Sequence, residues 1–239
     1  MHVVCMTTGD AGHYEMDAES LEARRRAEAA AAAAVIGANS VVLNHHDGQL
    51  QPTLEVREEV IALIRRFKAD VVITHRPNDY HPDHRYTSLV VQDAAYMVTV
   101  PHIVPQEPAL RKNPLFLYFM DHFEKPIPFD ADVAVAVDDS MALKWDMLDK
   151  MESQMYEWLA WHDGILDTVP SGREERLEWL ERTWGPRFLP AAKRGREALT
   201  KWYGKAAAAV RYAELFEVSE YGHQPDEEEL RGVFPFLPA

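Results

Sequence analysis

Cysteine is nearly absent: Cys5 stands alone among 239 residues. An internal disulfide is therefore excluded, and a reducing compartment, the cytoplasm, is the expected location. Long apolar runs are missing as well. No stretch approaches the ~18 apolar residues of a membrane span, and Met1-His2-Val3-Val4-Cys5 has neither the basic start nor the apolar length of a signal peptide. Basic residues are in deficit, with 25 Lys and Arg against 39 Asp and Glu for a formal charge of −14. Such a balance argues against nucleic acid as a partner, because phosphate binding needs a concentrated basic face. No G-x-G-x-x-G follows a strand, and Gly9-Asp10-Ala11-Gly12 lacks that spacing, which weighs against a dinucleotide site.

What remains is an ordinary globular composition, 47% hydrophobic and 27% charged, long enough for one large α/β domain with a real core. Residues 1–239 are expected to form that single domain, with a helical C-terminal part. The chain opens in a β-like run, Val3 to Thr7, and Gly9 and Gly12 permit the turn that follows. Ser20 to Ile36 is rich in Ala, Leu, Glu and Arg, which predicts a helix stopped at Gly37. A second strand at Ser40 to Leu43, a helix from Leu54 to Lys68, a third strand at Asp70 to Thr74 and a helix from Arg85 to Val98 continue the alternation. That order predicts a Rossmann-like, three-layer α/β fold: a parallel sheet with helices on both faces. Two further strands are expected at Leu115 to Phe119 and Val133 to Val137. Beyond them the pattern predicts helices at Asp139 to His162, Gly172 to Thr183, Ala191 to Trp202 and Ala206 to Phe216.

The chemistry concentrates in His81-Pro82-Asp83-His84, just after the third strand, at the sheet edge where open α/β folds place ligands. His84 can offer an imidazole to a metal, and zinc takes histidine with carboxylate in catalytic sites. Asp83 can orient His81 as an acid or electrostatic stabiliser. By spacing alone a helix cap with two exposed histidines explains the same residues equally well.

The wider sequence resembles the LmbE-like, or PIG-L, de-N-acetylase family from Val3 to about Gln154, and more loosely to Phe216. The resemblance is carried by Thr8-Gly9-Asp10-Ala11-Gly12-His13, by Arg25-Arg26-Ala27-Glu28, by Asp47-Gly48-Gln49-Leu50, by Arg76 through His84, and by Ser153-Gln154. It implies a zinc-dependent hydrolase that removes an acetyl group from an N-acetylated sugar or sugar conjugate, with one zinc per chain. It further implies His84 as a metal ligand, His81 and Asp83 as catalytic groups, and Arg25 and Asp10 on the substrate side. A solvated helix arginine paired with Glu28 is the competing reading of Arg25. Asp10 or His13 could stand in as further ligands.

Members of that family usually begin one strand earlier, with Ala-His-Pro-Asp-Asp after it. That segment is not in this sequence, and the first strand is expected to be absent from the sheet. Three explanations stay open: a start assigned downstream of the true one, a fragment, or a protein that rebuilt its sheet and lost the reaction. The rival function is a non-catalytic α/β binding or subunit protein of the same fold. Trp158, Trp161, Trp179, Trp184 and Trp202 suit helix packing or a subunit interface, so a homo-oligomer is among the expected partners, beside a small-molecule substrate.

Overall fold

In the computed structural model, which describes residues 1–238, each strong local signal becomes an element. The chain runs β1 (His2–Thr7), α1 (Ala18–Val35), β2 (Asn39–His45), α2 (Leu54–Phe67), β3 (Val71–Thr74), α3 (Pro82–Met97), β4 (Leu115–Phe119) and β5 (Val133–Ala136). It continues through α4 (Met141–Asp149), a π-helical turn (Ser153–Trp158), α5 (Leu159–His162), α6 (Arg173–Arg194), α7 (Arg196–Tyr203), β6 (Ala213–Gly222) and α8 (Glu227–Val233). Two compact units result, Met1–Leu50 with Val137–Pro190, and Gln51–Ala136 with the chain from Ala191 on.

In the first unit, β1 pairs in parallel with β2, with Val4 opposite Val41. Asp17 caps α1 by accepting the Ser20 N–H at 2.9 Å, and Gly37, at φ 66°, takes the left-handed conformation just past the helix end. The buried stripe of α1 is Leu21, Arg25, Glu28, Ala32 and Ala33. Two charges thus face inward on an otherwise apolar stripe, and each needs a partner.

The second unit holds a four-stranded sheet of order β3-β4-β6-β5. β3 and β4 are parallel, with Val71 opposite Leu115 and Thr74 opposite Tyr118. β6 runs antiparallel to both of its neighbours. The expected all-parallel, three-layer sheet is therefore corrected: the protein is α/β with parallel β1–β2 and β3–β4 pairs and a mixed larger sheet. β1, the first element, is present and paired. α2 packs on α3, which contacts β3 and β6, while α7 lies against β5.

Three helical expectations also change. Ala206 to Phe216 is not a helix: a short 3-10 segment ends at Ala209 and β6 begins at Ala213. Ala and Glu favour helix locally, but Ala213 and Leu215 alternate into the core with exposed or half-exposed neighbours, and pairing to β4 and β5 outweighs propensity. Asp139 to His162 breaks after Asp149. There the Ser153 N–H donates to the Glu28 carboxylate at 2.8 Å instead of to a helical carbonyl, and the chain resumes as a π-turn. Conversely, the helix expected at Gly172 to Thr183 extends as α6 to Arg194, through Pro186 and Pro190, and the one expected at Ala191 to Trp202 divides between the end of α6 and α7. The buried Trp179, Leu180, Trp184, Ala191 and Ala192 supply packing that offsets the backbone bonds lost at those prolines. Among the described residues, no helix is long and apolar enough to cross a membrane.

Candidate metal and acid–base site

β3 ends at Thr74, and the loop to α3 carries the histidines. α3 starts where the sequence makes a start favourable: His81 is the N-cap, in extended conformation, and Pro82 follows at the first helical position. The His81 Nδ1 accepts the Asp83 N–H at 3.3 Å. With Nδ1 acting as acceptor, the neutral ring carries its proton on Nε2. The Asp83 carboxylate is buried and lies 3.9 Å from the same His81 Nδ1. Helix cap and candidate acid are thus one residue, so the two readings of this motif are compatible.

His84, in the first turn of α3, is fixed from the loop. Its Nδ1 is 2.9 Å from Asp79 Oδ1, and the same oxygen accepts the His81 N–H at 2.9 Å. The His84 ring stacks on His75 with centroids 4.1 Å apart and planes 2° from parallel. The His81 ring lies 5.0 Å from that of His84. Burial, reinforced by the neighbouring His84, pushes the His75 imidazole down to about 4, so His75 is neutral at ordinary pH. Tyr80 sits edge-on to His84 at 5.3 Å, and Phe119 at the end of β4 lies 6.0 Å from His75.

His75, Asp79 and His84 each place a donor atom within 4.8 Å of the others. Two imidazoles and one carboxylate are the donor set that zinc takes in catalytic centres, so the residues present fit a zinc-class ion. Of this set the sequence reading named His84 alone. His75 and Asp79 come from an irregular loop, where ligand spacing follows no period; the only cue was that both lie between a strand end and a helix start.

The other residues singled out in the sequence lie in the first unit. Asp10 Oδ1 accepts the Asp47 N–H at 2.8 Å, and its Oδ2 pairs with His46 Nδ1 at 2.7 Å. Burial works to raise the Asp10 carboxyl, but those bonds outweigh it and hold the group at about 2. His13 is engaged at both nitrogens, with Glu157 on Nε2 at 2.9 Å and the Glu15 and Met16 N–H groups on Nδ1. Arg25 is buried, where desolvation lowers its pKa. Its guanidinium donates to the Gly12 carbonyl at 2.9 Å and to Gln154 Oε1. Glu28 accepts from both the backbone N–H and the hydroxyl of Ser153, at 2.8 and 2.6 Å, and contacts Arg24 at 3.1 Å. The Arg25-x-x-Glu28 and Ser153-Gln154 segments, noted separately in the sequence, are therefore each other's partners.

Residues 1–95 match the family model described as PIG-L, GlcNAc-PI de-N-acetylase. Among solved structures, an N,N'-diacetylchitobiose deacetylase from Pyrococcus horikoshii is similar at TM-score 0.64 and 21% identity, covering 91% of this chain and 72% of that one. A 4-carboxy-2-hydroxymuconate hydratase from Pseudomonas putida is similar at TM-score 0.67 and 21% identity, over 95% of this chain and 86% of that one. A conserved protein from Thermus thermophilus aligns over 100% of this chain and 85% of its own, at TM-score 0.61 and 20% identity.

Proposed function

We propose that this chain, whose residues 1–95 match the PIG-L de-N-acetylase family model, is a metal-dependent amide hydrolase that removes acetyl from an N-acetylated sugar or sugar conjugate. The observation that carries the reading is the pairing of His81, backed by the buried Asp83, with His84 at a ring separation of 5.0 Å. It sets a proton-transfer group beside a metal ligand. The whole of residues 1–239 is read as one functional domain, with Arg25 and Asp10 on the substrate side and zinc as the ion.

When bound, a zinc-class ion supplies water activated near neutral pH and a Lewis-acidic point for the acetamide oxygen. The protein's own groups do the rest. His84 is a ligand, kept in orientation by Asp79, as ligating histidines commonly are by a carboxylate. His81 holds a proton at Nε2, because Nδ1 is turned to the start of α3. From there the neutral ring can stabilise the developing oxyanion. Protonated also at Nδ1, on the side of the Asp83 carboxylate 3.9 Å away, the ring can give its Nε2 proton to the departing amine and return to the neutral form.

The fold likeness to a hydratase makes addition of water to an unsaturated acid the second reading to separate, since an activated water and an imidazole acid would serve there too. The deciding experiment loads the purified chain with zinc and assays acetate release from N-acetylglucosamine and its glycosides, alongside loss of the ultraviolet absorbance of 4-carboxy-2-hydroxymuconate. Acetate release that is lost in His81→Ala supports the de-N-acetylase. Absorbance loss without acetate release would replace it with a hydratase, and a zinc-loaded, folded chain active in neither assay would favour a non-catalytic binding protein.

A further inference from the structure

We infer that the ring of Tyr80 is the stacking surface for the sugar ring that carries the scissile amide, and that Phe119 bounds the same subsite beside His75. The inference rests on reading the chain as a sugar de-N-acetylase, and it names the side chain that selects a pyranose over other acetamides.

Tyr80 is 70% exposed and Phe119 43%, and both stand beside the candidate centre. Phe119 lies 6.0 Å from His75, while Tyr80 lies 5.3 Å from His84 and 5.7 Å from His81. An apolar residue exposed singly on a surface needs no explanation. Two exposed aromatic rings at one cluster of histidines are a different matter, since apolar surface gathered among polar groups marks a binding site.

Tyr80 is also held in place. Arg85 Nη1 donates to the carbonyls of Asp79 and Tyr80, at 2.7 and 3.1 Å, and the following amide, that of His81, is bonded to Asp79 Oδ1 at 2.9 Å. The backbone is thereby fixed on both sides of the residue. The ring stands edge-on to both imidazoles, at 80° to His84 and 75° to His81, so neither lies stacked on it. An aromatic face is left open to water in a preset position, and a ligand that covers it loses little to ordering.

The chemistry of that face selects the occupant. It is electron-rich, and a pyranose presents a face of C–H bonds while its hydroxyls point outward along the rim. Such a ring lays its C–H face on Tyr80 and meets imidazole and carboxylate groups at its edge. A protein partner fits less well, because two partly exposed rings fall far short of the ~800 Å² that a stable interface buries on each side.

The test uses the full, zinc-loaded chain and methyl β-glucosaminide, a deacetylated product that binds without turnover. Saturation-transfer NMR should place the contact on the ring protons of one sugar face. Tyr80→Ala should weaken binding about 10-fold, the loss of one stacked ring, and abolish that bias, whereas Tyr80→Phe keeps both. Circular dichroism checks folding; should Tyr80→Ala fail to fold, Tyr80→Leu, apolar but without a π face, replaces it with the same expectation. In acetate release from methyl N-acetyl-β-glucosaminide, the variant should raise KM about 10-fold and change kcat less. Affinity, face bias and KM all unaltered in the folded variant overturn the subsite. A fall in kcat alone overturns it too, because Tyr80 would then support the histidines and not the sugar. The two proposals fail separately. Sugar bound through Tyr80 by a chain that releases no acetate upholds the subsite and removes the function. Acetate release with KM unaltered in the variant does the reverse, and a chain that neither binds the sugar nor releases acetate loses both.

Discussion

Two strand-to-helix loops of this protein carry the same kinds of side chain and have opposite character. The loop after β1 holds Asp10 and His13; the loop after β3 holds His75, Asp79, His81 and His84. In the first, donor atoms of both side chains are bound to protein groups, Asp10 to the loop after β2 and His13 to Glu157 and its own following backbone. In the second, bonds gather on shared atoms such as Asp79 Oδ1, and His75, Asp79 and His84 each place one possible ligand atom within 4.8 Å of the others. Aspartate and histidine in a loop do not make a site. What sets the second loop apart is that three candidate ligand residues converge in it.

The largest expected effect that would sharpen this contrast is on catalysis. His81→Ala should lower kcat/KM for acetamide cleavage by about 100- to 10,000-fold, the usual contribution of a positioned acid or base, with metal content unchanged. His13→Ala should leave kcat/KM within a few-fold and instead lower unfolding stability by roughly 1–3 kcal/mol, read by urea titration. A catalytic collapse in His13→Ala would erase the distinction between the two loops.

A smaller effect probes the tie between α1 and the π-turn. Ser153→Ala removes the 2.6 Å bond to the buried Glu28 carboxylate and should cost about 1.5–3 kcal/mol, the range for hydrogen bonds to charged groups. Urea denaturation measures it; no change would mean that the Ser153 backbone N–H and Arg24 satisfy Glu28 by themselves.

The smallest effect is a pH window on the loop after β1. Asp10 is depressed from its ordinary 3.8 to about 2, so its stabilisation is complete above about pH 4 and disappears as pH falls through about 2. His46 is raised above its ordinary 6.5, first by the hydrogen bond to Asp10 and then by that carboxylate's charge. Its contribution is therefore complete below 6.5 and disappears as pH rises through the raised value. The Asp10–His46 tie should be strongest between those limits, and Asp10→Asn should flatten the stability–pH curve on both sides. A variant curve parallel to that of the wild type would show the pair to be incidental.

Much of the fold was legible from short-range pattern. The helices at Ala18–Val35 and Leu54–Phe67 and the strands at Val71–Thr74 and Leu115–Phe119 lie within one or two residues of their expected ends, because composition, caps and β-branched runs act locally. β6 was not legible. Its Ala-Glu-Leu start favours helix, and only pairing with β4 on one side and β5 on the other makes a strand there. Of the candidate metal site, His84 could be read from its motif and His75 and Asp79 could not, since a loop's turns bring them together.

The sequence by itself determined which segments are helices and strands where propensity and capping agree, and it marked the candidate cluster at the end of β3, because those preferences act between residues a few positions apart. The tertiary structure alone decided which charged residues are tied up and which donors converge. Arg25 and Gln154, Glu28 and Ser153, and His75 and His84 become partners through distances that folding sets. Burial there requires hydrogen bonds, and folding decides which groups make them.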